Sequence, residues 1–562
     1  MGYNVGVEPM TRTERLEALT GEPFDLLIIG GGITGAGAAR DAALRGLRVA
    51  IVEQRDWAAG TSSRSSKLVH GGLRYLQTFQ LGLVRESTAE RAVQLRVAPH
   101  LVRPCEFMMP VYADHKHGLG FIDLGLWLYD ALALWRVPKR HRKLRPARTL
   151  ARQPNLRSEG LRGSLTYYDA ATDDARLTLE NILDAEALGA VTASYTRVVE
   201  LLREDERVVG AVVQDVHSGE RREVRAQLVL NTTGPFTDRL LGLRDADHRP
   251  LLRPTKGAHL VVPAARLPVQ LAVAMIHPRD GRPMFAIPWG PHVYIGTTDI
   301  DYHGDLDRPY CGEDDRDLIL EVANHYFPEA HLTPADIVGT WCGLRPLIAP
   351  AENMQASRVS REHILQGGED GLLTMAGGKL TTYRLMAREL VNRAVKLLRR
   401  AGRLERDIAG CTTRKRPLPG GEGLADAGDV LALADRLTAQ TELPPGLARH
   451  LADTYGSRAE AVLARIEEPS DREPLCQSQP VLRVEVDHAV LAEQACSLED
   501  FFARRTQLLL RAPEACLAAA AETAERMGAL LGWDEDRRQA EIAALESEVQ
   551  SSLACRDSSP AS

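Results

Sequence analysis

The rhythm of apolar and polar positions changes several times along the chain, and each change marks an element. Asp25-Leu-Leu-Ile-Ile29 leads into Gly30-Gly-Gly-Ile-Thr-Gly35, and the stretch ends at Val49-Ala-Ile-Val-Glu53. An apolar run closed by glycine predicts a buried strand, and the small residues behind it predict a helix. The order is strand, turn, helix, strand, acid. Residues 164–230 return to this texture: 174–188 read as a helix, and 198–202, 208–215 and 223–230 as strands. The last strand enters Asn231-Thr-Thr-Gly-Pro-Phe-Thr-Asp238, a glycine turn opening another helix. Strands follow at 259–262, 284–287 and 293–295, the last running into Gly296-Thr-Thr-Asp299. Residues 372–376 predict a strand that meets Gly377-Gly378-Lys379, then a long helix to about residue 400. The pattern predicts an α/β chain whose nucleotide fold is interrupted by a strand-rich insertion.

Two other textures stand apart. Residues 412–424 carry Pro417, Pro419, Gly420 and Gly421 and read as a linker. Residues 425–550 are alanine- and leucine-rich with helical periodicity, and Ser497-Leu-Glu-Asp500 reads as a capping box before a helix at 501–510. Residues 118–135 predict an apolar helix whose two acids, Asp123 and Asp130, share one narrow face. Trp127, Tyr129 and Trp135 suit a lipid headgroup boundary. Arg136, Lys139, Arg140, Arg142, Lys143, Arg145 and Arg148 follow at once. An apolar helix with a basic flank is what an interfacial anchor on anionic lipid needs.

With 562 residues the chain is long enough for two or three domains. A net charge of −7 argues against nucleic-acid binding. The eight cysteines form no C-x-x-C pair, which suggests neither a zinc site nor a dithiol motif, and a reducing compartment is expected. Residues 1–22 lack an apolar signal core and read as a short tail, as do residues 551–562. No uncharged apolar stretch is long enough to span a bilayer.

The chemistry starts at the first turn. Gly30, Gly32 and Gly35 fit G-x-G-x-x-G. Gly30 permits the tight turn, Gly32 lets a pyrophosphate approach the backbone, and Gly35 lets helix and strand pack closely. The helix N-terminus offers N–H groups and a positive dipole end to the phosphates, and Glu53 can accept from a ribose hydroxyl. The polar run at 60–67, with Ser65, Ser66 and Lys67, suits a loop wrapped around the same ligand. His70, Gly71 and Gly72, with Arg74 and Tyr75 behind them, are more than a solvated serine linker requires.

Taken together, these strings resemble the FAD-dependent, respiratory glycerol-3-phosphate dehydrogenases. The most specific are Ser65-Ser-Lys-Leu-Val-His-Gly-Gly-Leu-Arg-Tyr-Leu76 and Gly377-Gly-Lys-Leu-Thr-Thr-Tyr-Arg384. Asp173-Asp-Ala-Arg-Leu177, Asn231-Thr-Thr-Gly-Pro235, Lys256-Gly-Ala-His259, Gly296-Thr-Thr-Asp299 and Leu344-Arg-Pro-Leu347 appear in family order. Thr232 and Phe236 depart from the alanine and tryptophan commoner there. The resemblance implies a Rossmann-like FAD-binding domain built from 23–105, 164–255 and 341–411. It implies a substrate- or membrane-associated segment at 106–163, a strand-rich substrate domain at 256–340 and an all-α C-terminal domain at 425–550.

It also implies a reaction. sn-Glycerol 3-phosphate loses a hydride from C2 to flavin N5, and a quinone takes the electrons onward. Arg74, Tyr75 and Arg345 match positions near the substrate phosphate, for which planar arginine forks are well suited. His259 and Lys379 are candidates at the C2 oxygen, the histidine as base and the lysine as a counter-charge. His70 and Asp299 are secondary candidates, the carboxylate as an orienting group. Non-covalent FAD is expected against Ser65, Ser66, Lys67, His70, Gly71, Gly72, Gly234, Gly377, Gly378, Lys379, Leu380 and Thr381. A homodimer, peripheral on the cytoplasmic face of the cell membrane, is expected too. The competing readings are an oxidase that makes hydrogen peroxide, another member of the wider amine- and hydroxy-acid-oxidising flavoproteins, and a flavin-binding protein without turnover.

Overall fold

The computed structural model describes residues 10–73, 76, 80–134, 137–279, 281–349, 363–476 and 479–557. Phe24–Ile29 is buried at every position, as a strand covered on both faces must be. It pairs in parallel with Val49–Val52 on one side and Arg221–Asn231 on the other. Leu372–Gly377 pairs in parallel with Arg221–Asn231, and Val191–Ala193 with Val49–Val52. His363–Gly367 closes the far edge antiparallel. Helices Ile33–Leu44, Asp174–Ala187 and Tyr383–Arg400 cover this sheet, and Leu26, Ile28, Ala39, Ile182 and Leu390 meet in its core. The glycine turns after the first strand and after Leu372–Gly377 therefore emerge along one edge of the sheet, where ligands of open α/β folds bind.

Among the described residues the second sheet has ten strands, nearly all antiparallel. Leu252–Pro263 is its spine, flanked by His292–Gly296 and by Gly339–Ile348. The expected boundaries move here. Val102–Tyr112 and Leu161–Thr172 pair with each other inside this sheet, although the sequence placed 164 onward in the nucleotide domain. Gly339–Ile348 also belongs to it, so the boundary at 341 falls inside a strand of the second sheet. These strands have apolar faces that read alike in either sheet, and only pairing partners distinguish them.

The C-terminal region is helical, as expected, apart from a small hairpin of Pro474–Cys476 and Gln479–Leu482. The Ser497 cap is present, with the Asp500 N–H donating to its hydroxyl at 3.1 Å. The element behind it is a π-helical turn, Asp500–Arg505, and a short helix Leu508–Arg511 rather than one continuous helix. Nor is the N-terminus wholly a tail: Arg12–Ala18 is a helix capped by Thr11 and Glu14, and Arg12 pairs with Asp215 at 2.5 Å.

The apolar helix spans Leu119–Leu132. Its inner face is held by polar contacts the sequence did not show. Tyr129, expected at a lipid boundary, is 1% exposed and donates to Asp169 at 2.8 Å. Asp123 and Asp130 share a face as expected, because His141 reaches both, at 3.4 and 2.7 Å. The outer face leaves Phe121, Leu124, Trp127 and Leu128 exposed. Trp135 and Arg136 lie outside the described residues.

Candidate active site

A cavity of about 3000 Å³ runs between the two sheets, larger than one small substrate needs. Its floor is the first glycine turn. Gly30 has φ of 108°, and a Cβ there would press on the Thr232 backbone at 2.8 Å. A Cβ on Gly35 would overlap the Gly30 carbonyl oxygen. At Gly32, which caps helix Ile33–Leu44, a Cβ would meet only Ser62 Oγ, at 3.1 Å. The backbone at Gly32 is thus open to the cavity, as a pyrophosphate requires. Gly234, with φ of 56° and nothing near its missing Cβ, also lines the cavity. Thr232 makes use of its hydroxyl, donating to the Ile29 and Gly30 carbonyls at 2.9 and 3.1 Å.

Glu53 lines the cavity and also braces the turn. Its carboxylate accepts from Gly31 N at 2.7 Å and Arg55 N at 3.0 Å. Burial pushes its carboxyl up, and these two donors oppose the shift. Sequence reasoning missed two partners of the turn. Ser62 Oγ accepts from Ile33 N at 2.9 Å. Trp57 lies against Gly31 so closely that a Cβ there would overlap its ring. The run of hydroxyl residues at 60–67 was a signal for Ser62; Trp57 left none.

The polar loop is tied to Asp174. Its carboxylate accepts from Ser65 N and Oγ at 3.0 and 2.7 Å and pairs with Lys67 at 2.6 Å. Lys67, expected against the cofactor, is instead 2% exposed behind the loop, with its ammonium on Asp174 and the Ser63 carbonyl. Ser65, Ser66, His70 and Gly72 face the cavity. Gly71 N donates to Asp169 at 2.9 Å, and a Cβ on Gly71 would overlap the Tyr129 hydroxyl. Arg74 and Tyr75 lie outside the described residues.

The turn after Leu372–Gly377 completes this side of the cavity. Gly377 and Gly378 have φ of 77° and 92°, and Lys379, Leu380 and Thr381 follow them on the cavity wall. Thr381 Oγ1 accepts from His70 N at 3.1 Å, so the two turns are joined.

The second sheet supplies the opposing chemistry. His259 is 2% exposed, stacked on Trp341 at 4.6 Å, with Nε2 2.9 Å from Ser66 Oγ. Burial, followed by the charges of Arg345 and Lys67, holds its pKa well below the ordinary histidine value, so the ring is neutral. Its Nδ1 has no hydrogen-bond partner among the described residues. Arg345 rises from Gly339–Ile348 and donates to Asp299 and to the Lys256 carbonyl, at 3.1 and 3.2 Å. Its other nitrogen donates to Thr297 Oγ1 and the Thr298 carbonyl, both at 3.1 Å. A Cβ on Gly257 would overlap the guanidinium, so glycine is what admits it. Asp299, read as an orienting carboxylate, also accepts from Thr255 at 3.0 Å. The structure thus gathers His259, Arg345, Lys379, His70 and the glycine turns around one space.

A dinucleotide cradle facing an arginine and a neutral histidine defines the class of flavin-dependent α/β oxidoreductases. The model of the FAD dependent oxidoreductase family matches residues 25–384, and that of the C-terminal domain of alpha-glycerophosphate oxidase matches 411–538. Glycerol-3-phosphate dehydrogenase 2 of Mycobacterium bovis is 41% identical over 549 residues, 97% of this chain and 92% of that one. The aerobic glycerol-3-phosphate dehydrogenase of Bacillus subtilis is 39% identical over 507 residues, 88% of this chain and 89% of that one. The crystal structure of the Bacillus halodurans glycerol-3-phosphate dehydrogenase complexed with FAD superposes with a TM-score of 0.80 at 33% identity, over 96% of this chain and 97% of that one. The chain belongs to the FAD-dependent glycerol-3-phosphate dehydrogenase family.

Proposed function

We propose that this protein oxidises sn-glycerol 3-phosphate to dihydroxyacetone phosphate and passes the electrons to a membrane quinone. The observation that carries this reading is the single cavity shared by the glycine cradle, neutral His259 and the splayed Arg345. The names of its relatives support the substrate. When bound, non-covalently at Gly30, Gly32, Gly234 and the 377–381 turn, FAD accepts the C2 hydride and supplies the redox step.

The chain's own residues do the rest. His259 takes the C2 hydroxyl proton, for which a neutral, buried ring is ready. Arg345 presents a planar fork to the phosphate dianion, and Arg74 and Tyr75 add a second cation and a hydroxyl. Lys379 places positive charge where the C2 oxygen gains electron density.

The acceptor reading rests on helix Leu119–Leu132. Phe121, Ile122, Leu124, Trp127 and Leu128 line the same cavity that holds the cofactor turns. Apolar residues between a redox site and the surface suit a quinone, and the basic residues beside them suit anionic lipid on the cytoplasmic face. No helix among the described residues is long and apolar enough to cross a membrane. The proposed attachment is peripheral, and the proposed assembly a homodimer. The oxidase alternative is favoured by the C-terminal match to alpha-glycerophosphate oxidase.

The test is anaerobic titration of the purified protein with glycerol 3-phosphate. The visible flavin band should bleach and a soluble quinone should restore it. Failure to bleach would remove the substrate assignment. Peroxide formed from oxygen as fast as quinone is reduced would replace the dehydrogenase reading by the oxidase.

A further inference from the structure

Asp315 lies in the first turn of helix Glu313–Tyr326 and is fully buried. Gly312 N donates to its carboxylate at 3.1 Å, an ordinary cap for the start of a helix. Two further contacts reach across to the second sheet. Thr298 Oγ1 donates to Asp315 Oδ1 at 2.7 Å, and Lys256 Nζ pairs with Oδ2 at 2.5 Å. A helix cap requires neither of them.

The same two residues receive Arg345. Its Nη1 donates to the Lys256 carbonyl at 3.2 Å and its Nη2 to the Thr298 carbonyl at 3.1 Å, one on each arm of the fork. Thr298 is held from its other side too, since its hydroxyl accepts from Ala258 N at 2.9 Å. Thr298 and Arg345 line the cavity, whereas the Asp315 carboxylate is set back from it.

We propose, on the substrate reading above, that Asp315 is a positioning residue: through the side chains of Thr298 and Lys256 it sets the two carbonyls that aim the Arg345 guanidinium at the substrate phosphate. The physical basis is preorganisation. A long side chain loses rotamer freedom when it binds a ligand, and a fork already held in plane has lost it beforehand. Lys256 belongs to strand Leu252–Pro263 and Thr298 to the turn after His292–Gly296. One carboxylate bonded to both side chains fixes the spacing of their carbonyls. An amide at 315 can still accept from Thr298, but its nitrogen then faces the Lys256 ammonium and Gly312 N, which are both donors. The phosphate is remote from C2, so a misdirected fork weakens substrate capture more than it slows the chemical step.

The experiment is a double-mutant cycle with Arg345 on the full-length, flavin-loaded protein. It is read anaerobically as the second-order rate constant for flavin bleaching by glycerol 3-phosphate. Thr298→Val and Asp315→Asn should each lower this constant roughly 3- to 30-fold, the range of coupling within one hydrogen-bonded network. In the Arg345→Ala background each should change it by less than about twofold, because no fork is left to aim. The limiting rate at saturating substrate should fall less than the second-order constant, and Thr298→Ser, which keeps the hydroxyl, should recover most of the loss. If Asp315→Asn does not hold flavin, Thr298→Val carries the same test. Equal losses in both backgrounds would show that Asp315 acts through stability alone and would overturn the proposal, as would unchanged constants in the single variants. A wild type that does not bleach would instead remove the substrate reading, and the role of Asp315 with it.

Discussion

Among the described residues Arg345 donates to Asp299, Thr297 Oγ1 and the Lys256 and Thr298 carbonyls. Hydrogen bonds to charged groups contribute about 1.5–3 kcal/mol each, so Arg345→Ala should lower kcat/KM for glycerol 3-phosphate by about 10- to 150-fold while the flavin stays bound. Arg345→Lys should rescue poorly, because a point charge does not reproduce a planar fork. Steady-state kinetics on flavin-loaded variants checks both, and an unchanged kcat/KM would remove Arg345 from the substrate site. His259 makes a pH prediction. Its folded pKa lies well below the unfolded value of about 6.5, so the ring is neutral, and competent as a base, throughout the neutral range. The acid limb of kcat/KM assigned to it should fall below about pH 6.5, and His259→Gln should lose about 10²–10⁴-fold in kcat. A limb at pH 7 or above would show that another group carries the proton. Residue types with one dominant use were legible in the sequence: Gly30 and Gly35 are where backbone contact forbids a Cβ. Lys67 was misread because an ammonium beside a nucleotide motif looks like a ligand contact, and its true partner, Asp174, is distant in sequence.

At the level of elements, helix Leu119–Leu132 shows where one-dimensional pattern runs out. The helix and its basic flank could be read directly, but which aromatics faced outward could not, because that depends on what packs beneath. Tyr129 turned inward to Asp169, which also holds Arg91 and Gly71 N. The outward residues Phe121 and Leu124 are 63% and 69% exposed, unusual for large apolar groups unless something covers them. Each basic residue near an anionic surface contributes about 1 kcal/mol, and salt screens that part but not the inserted apolar part. Wild type should therefore co-sediment with anionic vesicles. Phe121→Asp with Leu124→Asp should abolish salt-resistant binding, and Arg140→Glu with Arg142→Glu should weaken binding chiefly at low salt. Equal pelleting of all three would place the anchor elsewhere. Strand membership was hidden for the same reason as the buried tyrosine: Gly339–Ile348 has the apolar texture of either sheet, and its partner, Leu252–Pro263, lies far upstream.

Over the whole molecule, the C-terminal region buttresses the first glycine turn through buried charge. Asp56 accepts from Arg505 twice, at 2.7 and 2.9 Å, and from Arg504 at 2.5 Å. Arg176 reaches Glu493 at 2.7 Å, and Trp57 Nε1 donates to Gln494 at 3.1 Å. This network has an acid limit. Burial pushes the Glu499 carboxyl up, but Arg504 outweighs it and holds the pKa at about 2, well below the ordinary glutamate value. A depressed carboxyl stabilises the fold above its unfolded pKa, and that contribution is lost as pH falls from about 4.5 toward 2. Thermal unfolding followed from pH 6 to 3 should show a falling midpoint, with a shallower fall in Glu499→Gln. Removing one partner of such a buried group costs about 3–5 kcal/mol, because the opposite charges remain unpaired. Asp56→Ala should therefore lower the unfolding midpoint sharply. Trp57 separates packing from polarity: Trp57→Phe keeps a ring against Gly31 and loses one hydrogen bond, about 1 kcal/mol. Trp57→Ala empties the space behind the glycine turn. Flavin retention on gel filtration should be near wild type for Trp57→Phe and much reduced for Trp57→Ala. If Trp57→Ala keeps its flavin and Asp56→Ala melts like the wild type, the C-terminal helices do not support the cofactor turn.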